Sequence, residues 1–270
     1  SGGALPGGTG WYRKTFVLPE LSGDERYSIE FDGVFMNSTV YINGHALGTR
    51  PYGYSSFCYD LTPYLQAGEN LIAVRCDNAE QPNSRWYAGC GIYRNVRLVR
   101  TSDTHVAYNG DFVTTPVAGD RSLVRVQTDI ESPETSGLKV RYRILDHSGR
   151  GIASAWGTCA DGTAGGELEL RGTRLWSPDS PYLYTLRTEL YSGDVLKDIH
   201  DTRFGVRSIS WDKDKGFFIN GENVKMLGVC MHHDMGCIGT AVHRRALERQ
   251  LEKLKSMGVN AIRTSHNPPA

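Results

Sequence analysis

The sequence predicts a mainly β protein in three parts: a jelly roll or sandwich, an immunoglobulin-like β-sandwich, and the start of a parallel β/α domain. Three observations predict it. Short alternating runs bounded by turn residues fill positions 10–101. A second set, about seven strands in roughly 100 residues, fills positions 103–206. After Phe204 the pattern changes to strand, helix, strand.

In the first region Tyr27–Phe31 and Thr39–Ile42 alternate, and Asn43-Gly44, the strongest two-residue hairpin signal, follows at once. Asp60–Leu65 reads as a brief helical turn and Leu71–Cys76 as a strand. Asp77–Ser84 is a polar loop and Ile92–Val99 a closing strand. Many short strands at this spacing indicate a sandwich or jelly roll. In the second region Ser122–Thr128 and Leu138–Ile144 alternate, Asp146-His147-Ser148-Gly149 turns a hairpin, and Leu183–Leu190 is a further strand. The Cys…Trp…Cys spacing of antibody domains is missing, so pattern alone carries this assignment. In the third, Val224–Val229 reads as a strand and Val259–Thr264 as another. Between them Arg244–Met257 forms a helix with Leu247, Leu251, Leu254 and Met257 on one face, closed by Gly258 at C′. One βαβ unit cannot cover its own faces or close a barrel, so the end at Pro268-Pro269-Ala270 reads as a truncation. The expected domains are 1–102, 103–206 and 207–270.

Lys plus Arg and Asp plus Glu both total 30, a zero net charge without the basic stripe of a nucleic-acid binder. With 14 Tyr and 5 Trp, the balance suits a neutral ligand met by stacking and hydrogen bonds. No apolar stretch approaches the ~18–20 residues of a membrane span. Cys58, Cys76, Cys90, Cys159, Cys230 and Cys237 lie far apart with no CxxC pair, which favours buried free thiols over a disulfide scaffold or a zinc site.

Chemistry is expected at the ends of the two parallel strands, Cys230-Met231-His232-His233-Asp234 and Ser265-His266-Asn267-Pro268. In a (β/α)8 barrel such C-terminal ends form the active-site mouth. His232 and His266 could face one ligand, each offering a donor and an acceptor to sugar hydroxyls; a satisfied structural role stands beside that reading. His232-His233-Asp234 cannot converge on one metal ion without a sharp bend, because neighbouring side chains point opposite ways. Arg263 is either an inward clamp for a carboxylate or a surface ion pair, and the sequence alone favours the second. Asn83–Val96, rich in Trp, Tyr, Arg and Gly, offers a stacking edge or a domain interface. Tyr52, Tyr54 and Tyr59 read as core or loop packing. No pair of catalytic carboxylates, phosphate loop, nucleophile elbow or Cys–His pairing stands out.

These motifs, taken in order, resemble glycoside hydrolase family 2, the β-galactosidases, β-glucuronidases and β-mannosidases. Gly10-Trp11-Tyr12-Arg13-Lys14-Thr15-Phe16 is similar to the opening strand of the family's sugar-binding jelly roll, and Val40-Tyr41-Ile42-Asn43-Gly44 with Gly48 to its hairpin. Ser84-Arg85-Trp86-Tyr87 with Gly91–Val96 resembles that domain's closing signature. Leu175-Trp176-Ser177-Pro178 with Pro181–Tyr184 resembles a motif of the immunoglobulin-like domain, and Phe204-Gly205-Val206-Arg207 with Phe218–Gly221 the approach to the barrel. Gly228–Asp234 matches the first-strand motif and Arg263–Pro268 the "R-x-S-H-x-P" motif.

The resemblance implies substrate contact by His232 and His266 and support of the nucleophilic Glu by Arg263. It also implies a loop from the first domain reaching the sugar pocket near Asn83, where many galactosidases have an acidic residue; Arg85 is an alternative contact. Cys230 stands where many members have Asn, and Asn267 where many have Tyr. The His-His-Asp and Ser-His-Asn-Pro-Pro versions look most like bacterial β-galactosidases. By this resemblance the substrate is a β-galactoside, cleaved by two-step displacement with retention. Both glutamates and the ligands for a magnesium or sodium ion fall beyond Ala270, so no cofactor is expected within these residues and the chain by itself is expected to be inactive. Homo-oligomers are common in the family, and neither nucleic acid nor membrane is an expected partner. The rivals are a β-glucuronidase or β-mannosidase of the same family, and a non-catalytic carbohydrate-binding module.

Overall fold

The computed structural model describes residues 7–80, 89–265 and 267–269. Two compact units emerge, one of residues 1–100 with 227–270 and one of residues 101–226.

Strands of the first unit are β1 (Thr9–Leu18), β2 (Glu25–Phe31), β3 (Val34–Phe35), β4 (Ser38–Ile42), β5 (His45–Arg50), β6 (Phe57–Asp60), β7 (Gly68–Asp77), β8 (Gly91–Ile92) and β9 (Val96–Ser102), the last running into the second unit. They form three sheets, β1-β7-β4-β5, β6-β2-β9 and β3-β8, with antiparallel pairing in β1-β7-β4-β5, β6-β2 and β3-β8. Alternation drives this arrangement, since the inward residues Phe31, Val34, Val40, Ile42 and Leu61 are almost fully removed from water. Asn43 and Gly44 link β4 to β5 at φ 49° and 86°, the two positive values a type I′ turn requires. Asn43 also donates to the Tyr64 carbonyl at 2.9 Å and accepts from the Leu71 amide at 2.8 Å, pinning the hairpin. The expected helical turn is a short 3-10 segment, Thr62–Tyr64.

The expected strand Ile92–Val99 is broken. β8 ends at Ile92 and β9 begins at Val96, because Tyr93 and Arg94 turn inward to polar partners instead of continuing a ladder.

The second unit contains β10 (His105–Val117), β11 (Arg121–Glu131), β12 (Leu138–Leu145), β13 (Gly151–Ala160), β14 (Thr163–Arg171), β15 (Tyr184–Ser192) and β16 (Val195–Phe204). Their order is β10-β11-β14-β13-β12-β15-β16. β13 joins the two halves: residues up to Gly157 pair with β12, and Thr158–Ala160 pair with β14. The core is built from Val124, Val126, Val140, Tyr142, Ile144, Leu168, Leu186 and Leu190. The Tyr142 ring lies so close to Gly157 and Gly166 that a Cβ at either would come within 2.7 Å of it. A hairpin of β17 (Ile209–Asp212), β18 (Gly216–Ile219) and β19 (Glu222–Asn223) completes this unit.

The strand expected at Val224–Val229 begins four residues later. The Val224 amide donates to the Phe217 carbonyl at 2.8 Å, and the Leu227 amide donates to Asn260 Oδ1 at 2.8 Å, so neither is free for a parallel ladder. The remaining elements are β20 (Gly228–Met231), α1 (Arg244–Ser256) and β21 (Ala261–Thr264), with β20 and β21 paired in parallel. Gly258, at φ 86°, ends the helix as its position predicts.

Candidate functional site

The register of the parallel pair decides which residues share a face. Cys230 lies opposite Arg263, and Met231 opposite Thr264. Met231 and Thr264 line a pocket with Leu247 and Gln250 of α1, so they face the helix. Period-two alternation therefore sends Cys230 and Arg263 to the other face, which in a closed barrel is the interior. There the Arg263 guanidinium lies 3.7 Å from Cys230 Sγ. Among the described residues no carboxylate comes within 4.0 Å of Arg263. The surface ion pair that the sequence favoured is thus not formed among the described residues; Arg263 is exposed, with Cys230 Sγ as its contact.

His232 follows directly, half-buried, on the same pocket as Met231. The chain then bends. The Asp234 amide donates to the His232 carbonyl at 2.9 Å, and Asp234 Oδ1 accepts from the Gly236 amide at 2.7 Å. Gln250 Nε2 of α1 holds the Asp234 carbonyl at 3.0 Å. His233 lines the same pocket and meets Tyr93 and Tyr54 edge-on, at centroid distances of 5.0 and 5.9 Å. Burial pushes the His233 pKa below the ordinary imidazole value and the charge of Arg94 adds to this, against a hydrogen bond with the Thr240 backbone. His233 is a neutral packing element and Asp234 a turn former, so this trio does not fit a metal site. Among the described residues no group of three His, Cys, Asp or Glu side chains is placed to hold an ion.

Tyr54 and Tyr93 come from the β-sandwich of the first unit, so the strand-end loop packs directly on that sandwich. Tyr52 meets Tyr54 edge-on at 5.7 Å, while Tyr59 packs separately on Phe57. The Val242 amide donates to the Tyr93 carbonyl at 2.8 Å, and a Cβ at Gly89 would stand 1.7 Å from Thr240 Oγ1. Arg94 closes the junction. Its buried guanidinium donates to the carbonyls of Asp32 at 3.2 Å, Tyr54 at 3.0 Å and Pro268 at 2.8 Å, and sits 4.9 Å over the Tyr93 ring. A single cation thus fixes the end of the β21 segment against the sandwich. Sequence reasoning quoted Arg94 within a motif but gave it no role; the available signal was a cation set between Tyr93 and Asn95.

Ser265, the residue that follows β21, is buried, and its amide extends the ladder by donating to the Met231 carbonyl at 3.0 Å. Asn83, Arg85 and His266 lie outside the described residues.

All six cysteines are free, but Cys90, Cys230 and Cys237 are exposed, which corrects the expectation of uniformly buried thiols. The cause at Cys230 is its place on the open face of the parallel pair. The Arg263 hydrogen bond holds the Cys230 thiol below its ordinary value, whereas burial pushes Cys76 up to about 11. At pH 8, iodoacetamide will label Cys230 at least ~100-fold faster than Cys76, as their thiolate fractions require. Timed alkylation with peptide mass mapping checks this; equal rates would refute it.

Residues 5–102 match the sugar-binding domain of glycosyl hydrolases family 2, residues 104–207 the family 2 domain that follows it, and residues 212–270 the family's TIM barrel domain. The chain belongs to glycoside hydrolase family 2, and β20-α1-β21 is a barrel βαβ unit. It is 50% identical, over 100% of its length, to a β-galactosidase of Bacteroides ovatus, and spans 33% of that protein. It is 29% identical to a β-glucuronidase of Bacteroides fragilis over 97% of this chain and 40% of that protein. A family 2 crystal structure from Bacteroides cellulosilyticus superposes with a TM-score of 0.93 at 39% identity, covering 98% of this chain and 35% of that one.

Proposed function

We propose that this chain forms part of a retaining glycosidase that removes terminal β-galactosides. The observation that carries the reading is the face shared by Cys230 and Arg263 at the ends of β20 and β21, where Arg263 has no carboxylate partner among the described residues. Half-identity along the whole chain to a protein named as a β-galactosidase supports the choice of sugar.

Retaining hydrolysis needs an acid/base carboxyl and a nucleophilic carboxylate about 5–5.5 Å apart. Later strands of the barrel would supply both, each ending at the same mouth. His232 and His266 hydrogen-bond sugar hydroxyls in this scheme. The Arg263 fork pairs with the nucleophilic Glu, keeping it ionised and oriented for attack. Asn83, or Arg85 in its place, would contact the sugar from the first domain in this scheme. A magnesium or sodium ion would belong to the full-length enzyme, and no step of this scheme passes through it.

The likeness to a protein named as a β-glucuronidase supports a second reading, in which the sugar carries a carboxylate. The full-length protein tested on nitrophenyl β-glycosides separates the two. Release from the galactoside should exceed that from the glucuronide and mannoside, and no release from the galactoside would overturn the proposal. The 270-residue chain alone should release nothing, because in this scheme both carboxylates come from later strands of the barrel.

A further inference from the structure

The second unit carries a polar cleft of about 580 Å³, within the range of ligand pockets and contained wholly inside the sandwich domain. Its wall combines Arg174, Arg187, Arg203, Asp146, His147 and Tyr182. The charge balance is uneven. Arg187 is held bidentately by Asp201 at 2.8 Å on both arms, and Asp146 is occupied by Arg150 at 3.2 Å together with the Ser148 amide and hydroxyl. Arg174 and Arg203 have no carboxylate within 4.0 Å among the described residues, so two cations remain uncompensated.

Arg174 is also preorganised. Its guanidinium lies 4.7 Å over the face of Tyr182. Tyr182 is itself fixed, its hydroxyl 3.1 Å from His147 Nδ1 and its ring edge-on to Tyr184 at 4.8 Å. A guanidinium stacked on an aromatic face keeps its in-plane N–H groups directed outward, the geometry that grips a planar or tetrahedral oxyanion by two parallel hydrogen bonds. Arg203 leaves β16 opposite Thr185 of β15, two residues from the Arg187–Asp201 pair, and adds a second exposed cation to the same wall.

We propose that this cleft is a second glycan site, which binds a saccharide bearing a carboxylate or a sulfate ester through Arg174 and Arg203. The oxyanion part follows from the two uncompensated guanidinium groups; the saccharide part rests on the glycosidase reading above. Such a site would hold an acidic polymer on the sandwich domain, separately from the barrel mouth.

Calorimetric titration of the 270-residue chain tests it, with trigalacturonate and a sulfated galactotriose as the two acidic probes and neutral galactotriose as control. Saturable binding of an acidic probe, at least ten-fold tighter than the neutral control, is expected; the tighter acidic probe identifies the oxyanion. Arg174→Ala with Arg203→Ala should weaken that binding at least ten-fold while the melting profile stays that of the parent chain. Arg174→Lys, which keeps charge but not the fork, should fall between. Equal affinity for the neutral sugar, no saturable binding of either acidic probe, or unchanged affinity in a folded double variant would each overturn the proposal. Galactoside hydrolysis by the full-length protein is measured separately, so loss of this site and loss of the glycosidase reading are distinguishable.

Discussion

Arg94→Ala will lower the stability of the first unit by about 3 kcal/mol or more, one of the two largest effects expected in the chain. A hydrogen bond from a charged donor contributes roughly 1.5–3 kcal/mol, and removing the donor strands its acceptors. Arg94 serves three carbonyls, those of Asp32, Tyr54 and Pro268, and only 8% of the residue is exposed to water that could replace it. The carbonyls come from sequence positions far apart, so no local rearrangement can satisfy them together. Arg94→Lys will recover only part of the loss, because a compact ammonium cannot span three acceptors that a planar fork reaches. Urea unfolding of the parent and both variants checks this, and an unchanged midpoint in the alanine variant would refute it.

The same contacts give Arg94 a positioning role under the proposed function. The Pro268 carbonyl that it holds belongs to the segment running from Ser265 at the end of β21. In the full-length enzyme Arg94→Lys should therefore reduce kcat more than it raises KM, since a displaced strand end misplaces groups that act in the transition state. A purely structural role would lower the amount of folded enzyme and leave both constants of the survivors unchanged.

What the sequence disclosed and what it hid divide along a physical line. Strands with one buried face were visible because alternation is local: Tyr27–Phe31 and Leu138–Ile144 fall within β2 and β12. The Asn43-Gly44 hairpin and the Gly258 helix end were visible because each needs positive φ at a known place. The break at Tyr93-Arg94 was hidden, since the partners of these side chains are carbonyls dozens of residues away. The delayed start of β20 was hidden for the same reason: the Asn260 side chain that takes the Leu227 amide lies 33 positions on. The face that Arg263 shares with Cys230 depends on register, and a lone strand does not state its register. Sharing of β13 between β12 and β14 likewise depends on pairing partners that the strand's own ten residues do not state.

Asp111→Ala will cost the second unit about 3 kcal/mol, and the pH dependence of the parent will show why. The Asp111 side chain is 1% exposed, yet it accepts from Thr128 at 2.6 Å, Thr188 at 3.1 Å, Thr202 at 3.2 Å and His200 at 2.9 Å. It thereby ties β10 to β11, β15 and β16. Burial pushes its carboxyl up, but the hydrogen bonds from His200 and Thr128 outweigh this and leave it below the ordinary range. The hydrogen bond to Asp111 raises the His200 pKa, against partial burial, with the charges of Asp111, Asp198 and Asp201 adding to the rise. For the depressed carboxylate, stability is present above the unfolded value near 4 and is lost as pH falls through the lower folded value. For the raised imidazole, stability is complete below the unfolded value near 6.5 and is lost as pH rises through the higher folded value. The pair therefore contributes most between about pH 4 and 6.5 and progressively less towards pH 8. Thermal melts of the parent at pH 5.5 and pH 8 should separate, and those of His200→Gln should converge. Asp111→Ala should be the weaker at both pH values, because three threonine hydroxyls lose their acceptor whatever the charge on His200. A parent melt that does not move between the two pH values would remove the charge from this account and leave only the hydrogen bonds.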